Sequence, residues 1–204
     1  MMFRNRIDAA EQLVPRLQAY KGKEGIVLAV PRGAIPMGYV LAKALNMPLD
    51  IVLTKKIGYP GNPEYAIGAA GLEDAYMVPH PDVTDNYIRE TTEKARVRLK
   101  EMNKVFRNDQ PLPDLKGKVV IIVDDGLATG STMMATVRML KKSQPARLVV
   151  AVPVASDSAV AKLQPEVDDL VCLSVPDTFY GVGQFYDDFP QVEDHEVLAW
   201  LKKK

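Results

Sequence analysis

The chain has 204 residues, 47% of them hydrophobic and 25% charged, which suits one globular α/β domain with room for a small appended subdomain. Its 26 basic residues balance its 26 acidic ones. That balance removes bulk electrostatic attraction as a basis for nucleic-acid binding, so nucleic acid is not an expected partner. The single cysteine, Cys172, lies in the apolar run Leu170-Val171-Cys172-Leu173; it excludes an internal disulfide and reads as a small buried strand residue. No apolar stretch reaches the ~18–20 residues of a bilayer span. The polar segment Met1 to Glu11 lacks the apolar centre of a signal peptide. The expectation is a cytoplasmic protein with no membrane partner.

In chain order, Asn5 or Asp8 can cap a first helix, on which Ile7, Ala10, Leu13, Val14 and Leu17 share a face. Gly22 and Gly25 interrupt it. Ile26 to Val30 is wholly apolar, as expected of a strand covered on both faces. Pro31-Arg32-Gly33 forms a turn into a helix from about Ala34 to Leu45, and a strand from Leu49 to Leu53 ends at Thr54-Lys55-Lys56. Ile57 to Pro81 contains Gly58, Pro60, Gly61, Pro63, Gly68, Gly71, Pro79 and Pro81 and has no helical period. It reads as a long, functional or mobile loop with a hairpin around Gly71 to Asp74.

Thr84 to Arg107 is a long charged helix with Tyr87, Ile88, Ala95, Leu99, Met102 and Phe106 as its apolar stripe, the charges reading as a solvated face. A strand at Val119–Val123, a loop at Asp124–Thr132, a helix at Met133–Lys141 and a strand at Leu148–Val152 follow. Ser156 can cap a short helix to about Leu163, and Leu170 to Val175 is another strand. Pro176 to Pro190 is an aromatic loop, and a last helix spans about Glu193 to Lys202. Alternating strands and helices predict a doubly wound, mainly parallel sheet of about five strands with flanking helices. The core would span about 22–175, with a small hood formed by the N-terminal segment and 176–204.

The chemistry concentrates in Val119-Val120-Ile121-Ile122-Val123-Asp124-Asp125-Gly126-Leu127-Ala128-Thr129-Gly130-Ser131-Thr132. A buried strand delivers two adjacent carboxylates to its C-terminal edge, where open α/β sheets bind ligands. A turn of small and hydroxyl residues then enters a helix, offering backbone N–H groups, hydroxyls and the positive end of a helix dipole to a phosphate. The carboxylates beside it can accept hydrogen bonds from a vicinal diol. Phosphate next to diol describes a ribose 5-phosphate. An apolar strand ending in two acids also occurs in P-loop nucleotidases, but no G-x-x-x-x-G-K-[ST] accompanies it.

This stretch resembles the signature of the type I phosphoribosyltransferases: two acids, two mostly apolar residues, then Ala/Asp-Thr-Gly-x-Thr. The match covers Asp124, Asp125, Leu127, Ala128, Thr129, Gly130 and Thr132; Gly126 departs, an apolar residue being usual there. The resemblance extends more loosely over about Ile26 to Phe189. It implies that Asp124 and Asp125 hold the ribose hydroxyls and stabilise positive charge at the anomeric carbon, and that Ala128, Thr129, Gly130, Ser131 and Thr132 hold the 5-phosphate. Pro31-Arg32-Gly33-Ala34 resembles the pyrophosphate loop, often built around a non-proline cis peptide. Arg32 and Gly33 would bind there; alone, they read as an ordinary turn. Lys55 and Lys56 stand where the family places cations that reach pyrophosphate, and equally where a solvated strand end would lie.

The segment Ile57–Pro81 resembles the family's mobile catalytic loop. Pro176 to Tyr186 resembles the hood of the 6-oxopurine members, with Phe179 and Tyr180 as candidates to stack on a base or to pack the hood. That subgroup's lysine on the preceding strand is absent, and Ala128 replaces its acid, as in adenine or orotate enzymes. The cues divide, and the acceptor stays open. The resemblance implies an enzyme that takes 5-phosphoribosyl-1-pyrophosphate and a nitrogenous base as partners and forms a homodimer. It also implies Mg2+ brought in on pyrophosphate with few protein ligands; His80 and His195, read as surface residues, make no zinc set with one cysteine. The rival reading is a non-catalytic regulator of nucleotide metabolism that binds the same donor or a nucleotide.

Overall fold

The computed structural model describes residues 2–203, the side chain of Glu64 excepted. Helix α1 (Arg6–Leu13) starts at Asn5, whose side chain accepts from the Asp8 N–H, and passes into a 3-10 turn at Val14–Tyr20. Strand β1 (Gly25–Ala29), helix α2 (Ile35–Leu45) and strand β2 (Leu49–Ile51) follow. Strand β6 (Val119–Val123), helix α4 (Ser131–Lys141), strand β7 (Arg147–Val154), helix α5 (Asp157–Leu163) and strand β8 (Asp169–Ser174) form the second run. Helix α6 (Asp194–Lys202) ends the described chain.

The five strands form one parallel sheet in the order β2-β1-β6-β7-β8. Period-two alternation divides each central strand between two cores. Val27, Ala29, Ile121 and Val123 face a layer with Ala9, Leu13, Ile35 and Leu41. Ile26, Leu28, Val120 and Ile122 face Met133, Val137, Leu140 and Leu163. Burial on both faces is why these strands read as unbroken apolar runs. Strand β8 is an edge and only half-buried, so Cys172 is half-buried rather than buried, with its thiol 3.1 Å from the Ser174 carbonyl.

The segment Ile57–Pro81 is not a long loop. It forms an antiparallel sheet of three strands, β3 (Lys55–Tyr59), β4 (Asn62–Ala70) and β5 (Ala75–Met77). The hairpin at Gly71–Asp74 is present, closed by the Gly71 N–H on the Asp74 carbonyl at 2.8 Å. A tighter turn, Pro60-Gly61, joins β3 to β4, with Gly61 at φ 79°. Glycines that suggested breaks are close-packing strand positions instead. A Cβ on Gly58 would lie 2.6 Å from the Pro63 Cα, and one on Gly68 would lie 2.3 Å from the Met77 sulfur. Ile57, Ile67 and Ala70 anchor this sheet in the main core. His80 is half-buried against the rings of Tyr59 and Tyr65, while His195 is exposed.

Helix α3 (Asp85–Arg107) is capped by Thr84, whose hydroxyl accepts from the Tyr87 N–H, and is followed by Asn108 in the left-handed region. Its charges are mostly solvated, but Arg107 is buried and pairs with Asp50 through two nitrogens at 3.0 and 2.8 Å. The hood joins the two chain ends. Phe3 and Tyr186 form a parallel bridge, with the Phe3 N–H on the Phe185 carbonyl at 3.0 Å and the Asp187 N–H on the Phe3 carbonyl at 2.9 Å.

Because β4 pairs on both sides, its amides have partners that a loop would lack. Hydrogen exchange on the ligand-free protein is expected to be slow at 66–70 and fast at Gly61 and its flanking amides. Uniformly fast exchange over 62–70 would return the segment to the class of mobile loops.

Candidate functional site

The direction of winding reverses between β1 and β6: from β1 the fold winds outward to β2, and from β6 it winds the other way to β7 and β8. Adjacent strands whose connections leave in opposite directions open a crevice at their C-terminal ends, the ligand position in such sheets. The two loops facing that crevice are Pro31–Ala34, after β1, and Asp124–Gly130, after β6. The Pro31–Arg32 peptide bond is cis. A Cβ on Gly33 would lie 2.1 Å from the Asp125 Oδ2, so only glycine lets the first loop pass so close to that carboxylate. An open cleft of about 460 Å³ here has Arg6, Arg32, Gly33, Arg98, Asp125 and Gln191 among its walls.

The two carboxylates differ in company. The Asp124 Oδ1 accepts the Asp125 N–H at 2.9 Å. Burial, then the neighbouring Asp125 charge, pushes its carboxyl well above the usual range. Asp125 meets Arg6, whose Nε and Nη2 both lie 2.9 Å from the Asp125 Oδ2. Burial pushes Asp125 upward as well, and the Arg6 charge opposes it. Arg6 also donates from Nη1 to the Pro190 carbonyl at 2.7 Å and lies 3.7 Å above the Phe189 ring centre. Tyr186 donates its hydroxyl to the Asp125 carbonyl at 2.7 Å.

The loop after the carboxylates is stitched to β7: the Leu127 N–H donates to the Val154 carbonyl at 3.0 Å, and the Ser156 N–H to the Leu127 carbonyl at 2.9 Å. Gly130, at φ 68°, turns the chain into α4. Ala128, Thr129 and Thr132 are exposed, Ser131 is half-buried, and the Thr129 hydroxyl receives the Ser131 N–H at 3.4 Å. The first turn of a helix has no preceding carbonyls for its N–H groups, so the 128–132 loop presents donors to solvent.

Other expected residues stand apart. Lys55 is exposed at the start of β3 and Lys56 is half-buried beside it; neither lines the cleft. Phe179 packs on Phe185 at 5.1 Å between ring centres, whereas Tyr180 is 91% exposed, its N–H held by the Gln184 side chain at 2.9 Å. Arg32, by contrast, lines the cleft and pairs there with Asp194 at 2.6 Å. Arg6, Tyr186, Phe189 and Pro190 were not singled out in the sequence; an arginine in a first helix carries no motif that sets it apart from a surface residue. Gly126 gains a reason: a Cβ there would lie 2.6 Å from the Val182 Cγ1, so the hood supplies the apolar group that the motif usually carries itself.

The family model described as "Phosphoribosyl transferase domain" matches residues 3–190, and the chain belongs to that family. Two proteins from strains of Mycobacterium tuberculosis, each named "Putative phosphoribosyl transferase", are 37% identical over 208 residues, 99% of this chain but 47% of their own length. The chain thus spans about half the length of these curated relatives. The crystal structure of TT1426 from Thermus thermophilus has a TM-score of 0.91 at 38% identity, covering 98% of both chains. A purine phosphoribosyltransferase from Pyrococcus horikoshii shares the fold, with a TM-score of 0.52 at 19% identity, over 94% of this chain and 97% of that one.

Two outcomes follow from this geometry. Crystals soaked in sulfate or phosphate are expected to show the anion at 128–132; a side chain filling that hollow would remove it as a phosphate site. Gly126→Val should overpack against Val182 and cost about 1–3 kcal/mol in calorimetric unfolding. Val182→Ala in the same chain should recover part of that loss.

Proposed function

We propose that this domain transfers the phosphoribosyl group of 5-phosphoribosyl-1-pyrophosphate to a nitrogenous base and releases pyrophosphate. The observation that carries the reading is the meeting of three features at the β1/β6 switch point: an acid pair, a donor-rich loop at a helix start and a glycine loop against the second acid. Membership of the family supports it.

In this reading the 128–132 loop receives the 5-phosphate, with the N–H groups at the start of α4 and the Thr129, Ser131 and Thr132 hydroxyls as donors. Asp124 and Asp125 accept from the ribose hydroxyls and stabilise the positive charge that grows at the anomeric carbon as pyrophosphate leaves. Gly33 and Arg32 hold the pyrophosphate, Arg32 by exchanging its partly exposed Asp194 partner for the ligand. Lys55 and Lys56 lie further out and would meet the donor only if β3 moved toward the cleft. On the acceptor side, Phe179 is engaged with Phe185, and Tyr180 is the aromatic face open to a base.

Among the described residues, no group of three His, Cys, Asp or Glu is placed to hold a metal ion by itself. The donors near the cleft are hard oxygens, which suit magnesium carried in by the ligand's own oxygens and water. Magnesium bound to the pyrophosphate would neutralise charge on the leaving group. A homodimer and a cytoplasmic setting belong to the same reading; among the described residues, no helix is long and apolar enough to cross a membrane.

Pyrophosphate release against a panel of purine and pyrimidine bases tests the proposal. One base should support turnover, and Asp124→Asn with Asp125→Asn should lower kcat by about 10²–10³-fold or more, with secondary structure retained by circular dichroism and a lower melting temperature because Arg6 loses its charged partner. Unchanged kcat in that variant would take both residues out of the mechanism. Tight calorimetric binding of the donor without turnover on any base would favour the regulator.

A further inference from the structure

Arg6 lies outside the signature and outside the core sheet, yet all three of its guanidinium nitrogens are engaged at the site. Two hold Asp125 at 2.9 Å, one holds the Pro190 carbonyl at 2.7 Å, and the plane lies over Phe189. The pair is well shielded, with side chains 10% and 15% exposed. Removing one partner of such a pair leaves a buried, uncompensated charge. Asp125 is confined on its other sides. Gly33 runs against its carboxylate, and the Tyr186 hydroxyl holds its backbone carbonyl. Asp124 is its sequence neighbour, and among the described residues no cation pairs with Asp124. Two half-buried carboxylates side by side repel, and without a cation such a pair tends to share a proton.

We propose that Arg6 is a positioning residue: from the first helix it fixes the Asp125 carboxylate beside Asp124 and supplies the positive charge that favours the ionised form of Asp125 in a pair whose burial works against ionisation. The role rests on the phosphoribosyl-transfer reading for its consequence and on geometry alone for the hold on Asp125. The charged or titratable groups facing Asp125 are Arg6 from α1, Asp124 in its own loop, Tyr186 from the hood, and Arg32 and Arg98 across the cleft. The Arg32 and Arg98 guanidinium groups are paired with Asp194 and Glu101. Arg6 is therefore the cation whose loss Asp125 would feel most.

The test compares the wild type with Arg6→Gln, Arg6→Lys and Phe3→Leu. Phe3→Leu loosens the same segment without touching the carboxylate. The first readout is carboxyl NMR of labelled aspartates in the ligand-free protein; the second is calorimetric affinity for 5-phosphoribosyl-1-pyrophosphate with magnesium at about pH 8 and about pH 6. Arg6→Gln should move the Asp125 titration upward. It should weaken donor binding by about tenfold more than the wild type loses as pH falls between those values, since carboxylates that take up protons stop accepting from the ribose. Arg6→Lys should fall between the two, because a point charge replaces a two-pronged contact. Phe3→Leu should lower the melting temperature and keep the wild-type pH dependence.

If Arg6→Gln binds with wild-type affinity and pH dependence, or if Phe3→Leu reproduces its effect, the proposal is overturned. Should Arg6→Gln not fold, Arg6→Lys decides by the same pH criterion. A wild type that binds no donor would overturn the transferase reading instead. The NMR arm would then judge the hold on Asp125 alone, an unmoved titration in Arg6→Gln counting against it.

Discussion

The parallel pairing of β1 with β6 is the constraint on which the rest of the molecule depends. Gly25 to Ala29 lie in register with Val119 to Val123, so the two strands end together. Their continuations must part, one toward β2 and the other toward β7. Two polar loops are thereby left facing each other at the edge of a sheet whose centre is wholly apolar. The central strands are buried on both faces, and that burial holds the strand ends rigid. Loops set on such a scaffold can keep a carboxylate within contact of a glycine backbone, as Asp125 and Gly33 are.

The hood is fastened to the same point. Phe3, Tyr186 and Phe189 stack in sequence at 5.3 and 4.7 Å between ring centres, and Arg6 closes the stack against Asp125. An apolar cluster of this kind supplies most of the docking energy by burial. The polar contacts at its inner end, Arg6 to Asp125 and Tyr186 to the Asp125 carbonyl, contribute less net energy but set the orientation, since a misplaced buried charge costs far more than a well-placed one contributes. Val182 entering the space left by Gly126 belongs to the same arrangement. The motif's departure from the usual apolar residue is met by a side chain 56 positions away, so a hood and loop of this shape must change together.

What could be read in the sequence follows from how local its causes are. The apolar run Val119–Val123, the apolar stripe of Thr84–Arg107 and the Ser156 cap of α5 are recorded in nearby residues, and each element formed as expected. The family was legible because one contiguous stretch, Asp124 to Thr132, carries the signature, and the doubly wound sheet because apolar strands alternate with helices along the chain. The β3–β5 sheet was hidden because Gly58 and Gly68 serve close packing while looking like turn residues, and Pro63 looks like a break. Arg6 was hidden because its partner is 119 positions away and nothing local distinguishes it from a solvated arginine. Phe179 and Tyr180 are adjacent and chemically alike. Only the path of the backbone decides that one packs on Phe185 and the other meets solvent.

The arginines of the cleft show how magnitudes assign roles that residue type cannot. Arg6, Arg32 and Arg98 each have an internal acidic partner, so counting charges would treat them alike. Exposure separates them. Arg98 and Glu101 are more than half exposed, in the range where an ion pair contributes about 0–1 kcal/mol and screening removes most of that. Arg32 and Asp194, at 29% and 50%, are nearly as easy to part. In the proposed reading, a pyrophosphate group, with several charged oxygens, would offer Arg32 a stronger partner than the one it would leave. Arg6 and Asp125, at 10% and 15%, are held out of water together, and pulling them apart would cost about 3–5 kcal/mol. If the cleft takes up an anion as proposed, the partly exposed Arg32 would be free to turn to it while Arg6 stayed with its carboxylate, which would keep Asp125 in place while the ligand changed around it.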